Sequence, residues 1–198
     1  MPDFRHTTFL TSAASASGFP PPAGPEVAFA GRSNAGKSSA LNTITGLRGL
    51  ARTSKTPGRT QLINFFDTPG GRLVDLPGYG FAKVPERVKA GWRQLMEAYL
   101  GGREALTGLV LVMDIRHPLK PFDEQMLAWA EHAGLSVHVL LTKADKLTRN
   151  HQNQALARTR GPLGELLPAA TVQLFSATSG QGVDEVRERL AGWLDLQD

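Results

Sequence analysis

The sequence predicts an α/β domain: a six-stranded, mostly parallel sheet with one antiparallel edge strand and helices on both faces. Three observations predict it. Short apolar runs at 27–30, 109–113, 137–141 and 172–175 suit strands buried on both faces. Between them, Val88, Trp92, Leu95 and Tyr99, then Phe122, Met126 and Trp129, and later Val183, Val186, Leu190 and Trp193 recur at helical spacing and read as core packing. Two further strand-like runs, 62–66 and 72–74, are separated only by 67–71, which is hairpin spacing and puts one antiparallel pair at the sheet edge. In such sheets ligands bind beyond the carboxyl ends of the parallel strands, so functional motifs are expected directly after strands.

The bulk numbers agree with one domain. A chain of 198 residues with 41% hydrophobic and 20% charged residues is ordinary for a globular protein. It has no cysteine, which excludes disulfides, thiolate nucleophiles and cysteine-held metals and suits a reducing cytoplasm. No run approaches the roughly 18 apolar residues of a membrane span, and no signal-length run follows Phe9 and Leu10, so a cytoplasmic protein without a membrane partner is expected. Residues 11–25 are rich in Ser, Ala, Gly and Pro and include Pro20-Pro21-Pro22, so 1–25 reads as a flexible arm ahead of a domain over 26–198. A net charge of +4 and a pI near 9.7 lean toward an anionic partner. A monomer is expected.

After the first apolar run comes Gly31-Arg32-Ser33-Asn34-Ala35-Gly36-Lys37-Ser38, which fits G-x-x-x-x-G-K-[ST] between a strand and a helix containing Leu41 and Ile44. The glycines let backbone amides wrap a polyphosphate, and the helix N-terminus adds positive potential. Lys37 is expected on the β and γ phosphates and the Ser38 hydroxyl on Mg²⁺. Following 137–141 is Thr142-Lys143-Ala144-Asp145, close to [NT]-K-x-D. The Asp145 carboxylate can accept two hydrogen bonds from guanine, a donor pair that adenine lacks. Lys143 is expected to lie along the base, and Phe175-Ser176-Ala177, after the last strand, to offer an amide to the guanine oxygen. GTP or GDP is therefore the expected ligand.

Two D-x-x-G elements compete for the γ-phosphate side, Asp67-Thr68-Pro69-Gly70 and Asp75-Leu76-Pro77-Gly78. The first reads as a hairpin turn, so the role is given to the second, with Asp75 holding Mg²⁺ through water and the Gly78 amide on the γ-phosphate. A threonine on the loop ahead of the edge strand should complete the Mg²⁺ shell. Thr60 fits best, closing Pro57-Gly58-Arg59-Thr60, with Gln61 and Leu62 beside the nucleotide; Thr56 and Thr53 are the alternatives. Lys37, Thr60 and Gly78 are the expected catalytic contacts.

Together, GRSNAGKS, SKTPGRT, DLPGYGFAKVP and LTKADK resemble the EngB-type (YihA/YsxC) ribosome-biogenesis GTPases of the TrmE-Era-EngA-EngB class, over nearly the whole chain. The resemblance implies assembly of the bacterial large ribosomal subunit, binding of precursor particles containing rRNA and ribosomal proteins in the GTP state, and a need in growth, septation and cell division. Tyr79 stands where a water-orienting glutamine would follow D-x-x-G, so intrinsic hydrolysis should be slow. A GTP-sensing binding module with negligible hydrolysis is the alternative; a small-molecule kinase is disfavoured by the guanine element. Asn34 resembles the potassium-ligating asparagine of TrmE-like proteins, which implies a K⁺ site. Thr142 in place of the commoner asparagine is expected to remove an amide that ties loops together.

Between 48 and 120 there are twelve Lys/Arg against six Asp/Glu, with Arg48, Arg52, Lys55 and Arg59 ahead of one phosphate sensor and Lys83, Arg87, Lys89 and Arg93 after the other. These could grip RNA phosphates when the γ-phosphate orders the loops. Arg116 and His117 are ambiguous. No aromatic-rich platform appears, so RNA would be read by shape and backbone.

Overall fold

The computed structural model describes residues 3–52, 61–80, 84–194 and 196. In chain order the elements are β1 (Thr8–Ala13), β2 (Glu26–Gly31), α1 (Lys37–Thr45), β3 (Ile63–Thr68), β4 (Gly71–Asp75), α2 (Glu86–Gly102), β5 (Leu106–Asp114), α3 (Pro121–His132), β6 (Ser136–Thr142), α4 (Arg149–Leu166), β7 (Thr171–Leu174) and α5 (Val183–Trp193). One sheet runs β1-β3-β4-β2-β5-β6-β7. Its parallel strands β2, β5 and β6 are the apolar runs of the sequence, and every residue of β2 is buried. Both faces are covered: α2, α3 and α4 pack on one side around Trp92, Met96, Tyr99, Met126 and Leu163, and α1 and α5 on the other around Leu41, Ile44, Val186 and Leu190.

The sheet has seven strands where the sequence predicts six. The added strand, β1, lies in the segment read as a lead-in arm. It pairs antiparallel with β3 from Thr8↔Asp67 to Ala13↔Ile63, so β3, itself antiparallel to β4, is next to the edge and not at it. Side chains reinforce the ladder: the Thr7 and Thr68 hydroxyls are 2.8 Å apart, Ser12 Oγ donates to Asn64 Oδ1 at 2.6 Å, and Phe9 packs edge-on against Phe66. Further along, Arg72 and Arg103 donate to the carbonyls of Pro21 and Pro20 at 2.6 and 2.8 Å. Both arginines also surround Glu26, which is fully buried and accepts from Tyr99 Oη at 3.0 Å and from Arg103 at 2.6 and 2.9 Å. This cluster closes the end of the sheet opposite the predicted site.

The hairpin between β3 and β4 turns at Pro69-Gly70. Gly70 is left-handed, with φ 80°, and a Cβ there would stand 2.5 Å from the Leu194 carbonyl, so the turn needs glycine for both conformation and space. On α3 the buried apolar residues are Met126, Leu127 and Ala130, while Phe122, read as core packing, is 40% exposed. Helix α4 has no counterpart among the predicted helices; only Leu163 and Thr159 are fully buried on it.

Candidate functional site

The phosphate-cradle motif lies at the carboxyl end of β2 and runs into α1, as its spacing requires. Asn34 and Gly36 are left-handed, with φ 65° and 96°, and Gly36 caps α1. This turn aims the first amides of α1 into the loop, the arrangement that receives anions. The Ala35 amide donates to the Arg32 carbonyl, closing a tight turn at 3.0 Å.

The two D-x-x-G elements fall at opposite ends of the sheet. Asp67 sits beside the hairpin turn, half-exposed and paired with Arg72 at 2.8 Å, level with Glu26 at the start of β2. Asp75 ends β4 in register with Phe29, and its carboxylate meets the Lys37 ammonium with both side chains nearly buried. Beyond it, Leu76 N donates to Phe29 O at 3.0 Å, Tyr79 N to Gly31 O at 3.3 Å and Ser33 N to Tyr79 O at 2.8 Å, so 75–79 runs alongside the cradle. Gly78 lies over Ser33, 3.6 Å from where a Cβ would be. Trp92 Nε1 reaches the Pro77 carbonyl at 3.3 Å and ties α2 to this segment.

The Tyr79 side chain reaches α3. Its hydroxyl is buried and donates to Asp123 Oδ1, at the start of α3, at 2.7 Å. Burial, reinforced by the Asp123 charge, pushes the phenol pKa well up. Burial likewise raises the Asp123 pKa, partly offset by the Tyr79 hydrogen bond. Tyr79 is therefore packed into the core as a neutral donor. Arg32 Nε is buried beside this pair, without a hydrogen-bond partner among the described residues.

The second loop cluster forms at the ends of β6 and β7. Lys143, left-handed at φ 60°, sends its ammonium to the Asn34 carbonyl at 2.7 Å and to Asp114 Oδ2 at 3.0 Å. Ser176 Oγ donates to Asp145 Oδ1 at 2.6 Å, and the Ala144 amide to the Phe175 carbonyl at 3.1 Å, so Thr142-Lys143-Ala144-Asp145 and Phe175-Ser176-Ala177 form one ledge facing the cradle. Thr142 departs from the expectation that it unties the loops. Its buried hydroxyl donates to the Ala35 carbonyl of the cradle, with the Met113 carbonyl 3.1 Å away.

Two supporting residues escape sequence reasoning. Asp114, at the end of β5, is opposed by burial but held well below the usual carboxylate range by hydrogen bonds from Arg116 and Lys143. Gln152 of α4 donates to the carbonyls of Ala144 and Leu147 at 2.7 and 3.1 Å. An acid at the carboxyl end of a parallel strand is a signal that could have found Asp114; nothing in the pattern marks Gln152. Asn34, Arg32, Asp114, His117, Asp123 and Lys143 border one cleft beside the cradle. Gln61 borders another with Gly78, Tyr79 and Trp92, and Leu62 is half-buried just before β3. Thr53, Lys55, Thr56, Gly58, Arg59, Thr60 and Lys83 lie outside the described residues.

The Asp75 carboxylate, on the Lys37 ammonium, and Ser38 Oγ, which donates to the Arg52 carbonyl at 3.3 Å, are hard oxygen donors that suit Mg²⁺, which usually keeps waters and takes phosphate oxygens for the rest. Among the described residues no group of three His, Cys, Asp or Glu could cage a metal alone. No helix of the described residues is long and apolar enough to cross a membrane. The basic region is partly committed within the fold: Arg72 and Arg103 to the Glu26 cluster, Arg116 to Asp114, and Lys89 and Arg93 to Glu86.

A phosphate-binding loop between β2 and α1, with a guanine-type ledge at the ends of β6 and β7, defines the P-loop GTPase fold. The family model described as 50S ribosome-binding GTPase matches residues 26–143. The chain is 55% identical over 197 residues to the probable GTP-binding protein EngB of Aromatoleum aromaticum, spanning 99% of this chain and 91% of that one. It is 56% identical over 194 residues to that of Nitrosococcus oceani, spanning 98% and 97%. Among solved structures, a probable GTP-binding protein engB aligns with TM-score 0.68 over 87% of this chain and 100% of that one, at 21% identity. A bacterial selenocysteine-specific elongation factor, EF-Sec, shares the fold at TM-score 0.62 over 88% of this chain and 29% of its own. The chain belongs to the EngB family of GTP-binding proteins.

Proposed function

We propose that the protein is a slow GTPase used as a switch, binding precursors of the large ribosomal subunit in its GTP state and leaving after hydrolysis. The observation that carries this reading is the convergence of three loops on one end of the sheet, with Lys37 on Asp75 and Lys143 on the cradle carbonyl of Asn34. That placement supports a role for each described site residue, and the sequence motif alone adds Gly58, Arg59 and Thr60. The loop 31–38 receives the α and β phosphates, Lys37 the β and γ, and Ser38 with Thr60 and a water on Asp75 holds Mg²⁺. Mg²⁺ held there would supply positive charge to offset that of the phosphates. The Gly78 amide meets the γ-phosphate, and loss of that phosphate frees 75–80 and the loop carrying Gly58, Arg59 and Thr60. Asp145 reads guanine, oriented by Ser176.

What supports slow hydrolysis is Tyr79 in the place of a water-orienting glutamine, its hydroxyl spent on Asp123. Activation then comes from elsewhere: a ribosomal partner, or K⁺ at Asn34. The family description and the basic residues beside the phosphate sensors support a ribosomal particle as partner, and the absence of cysteine is consistent with a cytoplasmic setting. Growth and division would then depend on it through ribosome supply. Single-turnover hydrolysis tests the reading. It predicts a low basal rate that large subunits raise at least tenfold; a basal rate below detection that particles leave unchanged would favour the GTP-sensing module. Equal rates in K⁺ and Na⁺, unaltered by Asn34→Ala, would remove the potassium site.

A further inference from the structure

Charge is sorted unevenly among the helices. Asp123, Glu124 and Glu131 make α3 acidic, with no lysine or arginine. On α5, Arg187 and Arg189 are outnumbered by Asp184, Glu185 and Glu188. On α2 Lys89 and Arg93 reach Glu86, at 3.7 and 3.3 Å, which leaves Arg87 as that helix's one exposed cation without an ion pair among the described residues. Helix α4 differs. It carries Arg149, Arg158 and Arg160 against Glu165 in its last turn, and among the described residues none of these three arginines makes an ion pair. All three are exposed.

At 100° per residue, Arg149 and Arg160 fall on one flank of the exposed face and Arg158 on the other, spread over about 16 Å of helix. The ridge between them is polar or small, with Asn150, Asn153 and Ala157 exposed. Gly161 and Gly164 extend it, and a Cβ at either would meet nothing within 4 Å, so packing does not call for glycine. With Pro162 between them, these residues cost the helix about 5 kcal/mol in propensity relative to alanine. No contact among the described residues accounts for them, and they leave the outer face low enough for another backbone to approach closely.

We infer that the outer face of α4 is a second RNA contact, gripping the phosphodiester backbone of folded RNA whichever guanine nucleotide is bound. The inference deepens the ribosomal reading and rests on its RNA-containing partner. Unpaired arginines on both flanks of a low ridge complement a polyanion laid along it. The face has no aromatic or large apolar residue between the arginines, which disfavours a membrane surface, a protein partner needing a buried anchor, and single-stranded RNA needing a stacking platform. What remains is duplex backbone, recognised by charge and shape. Independence from the nucleotide follows from position. Helix α4 packs on β7 and α3, and acidic α3 stands between it and α2 with the 75–80 segment.

The test is fluorescence anisotropy of a labelled RNA duplex of mixed sequence, titrated with the full chain in GDP and in a non-hydrolysable GTP analogue over a range of salt. The triple variant Arg149→Gln, Arg158→Gln, Arg160→Gln should bind about tenfold or more weakly in both states, with its log K against log salt slope shallower by about 2 to 3. The matching Arg→Lys triple variant should keep the slope, and unaltered GDP binding by all three proteins shows that they are folded. An unchanged slope in the Gln variant, or a loss seen only with the analogue, overturns the inference. Parallel co-sedimentation with large ribosomal subunits separates the two readings. Nucleotide-gated binding that the Gln variant retains in full sinks the α4 contact alone, whereas duplex binding through α4 without any subunit binding sinks the ribosomal partner.

Discussion

Thr142→Val tests whether the guanine ledge and the phosphate cradle act as one unit. Valine nearly matches threonine in shape, so the change removes one hydroxyl from a site only 3% exposed. That hydroxyl donates to the Ala35 carbonyl, 107 residues away in the chain, and among the described residues it is the hydrogen bond that joins β6 to the cradle. Leaving a buried acceptor without its donor costs about 1–3 kcal/mol. For a domain of this size that lowers the melting temperature by about 2–12 °C. On the proposed reading a nucleotide bridges the same two loops, so binding would have to re-impose their register. The net worth of the bond, about 0.5–1.5 kcal/mol, should reappear as roughly two- to tenfold weaker GDP binding. Chemical denaturation and titration with a fluorescent GDP measure the two effects. A stability loss under about 0.5 kcal/mol, the scatter of an inert surface change, with unaltered GDP affinity would refute the tie.

Other perturbations separate the site from its scaffold. Glu26→Gln strips the charge facing buried Arg72 and Arg103, so unfolding should be easier by about 3–5 kcal/mol while GDP affinity, decided at the opposite end of the sheet, stays as it was; denaturant titration with and without GDP checks both halves. Tyr79→Phe should destabilise by about 1–3 kcal/mol through the orphaned Asp123 yet leave single-turnover hydrolysis nearly unchanged; a fall of about a hundredfold or more would give the hydroxyl a chemical role. His138 is buried between Thr171 and Gln173, at 2.7 and 2.8 Å, and burial lowers its pKa. Its contribution to stability is therefore present above the unfolded value near 6.5 and is lost as pH falls through the lower folded value. Melting curves from pH 7.5 to 5 should show that loss and His138→Gln should flatten it; equal slopes would contradict it.

What the sequence discloses divides along physical lines. The cradle and guanine ledge are local: consecutive residues after a strand, their chemistry carried by residue type at fixed spacing. Local grammar also separates Asp75 from Asp67, because Pro69-Gly70 is a turn and a strand end precedes Leu76-Pro77-Gly78. Strand β1 is hidden because T-F-L-T-S-A has only a short apolar stretch and gains strand character from pairing with β3 some fifty residues on. Helix α4 is hidden because little of it faces the core and Gly161-Pro162 reads as a breaker. The Thr142 tie and the Tyr79–Asp123 bond each join loops far apart in the chain, and no periodicity announces a contact of that kind. Phe122 misleads in the opposite direction: it has core spacing but sits at the exposed start of α3, beside Tyr79.

The most direct test of the central claim is co-sedimentation of the full chain with large ribosomal subunits, comparing a non-hydrolysable GTP analogue with GDP at two salt concentrations. The account predicts tight binding with the analogue, only a weak salt-sensitive residue with GDP, and weakening of both as salt rises. Equal binding in the two nucleotide states, or none in either, would contradict it.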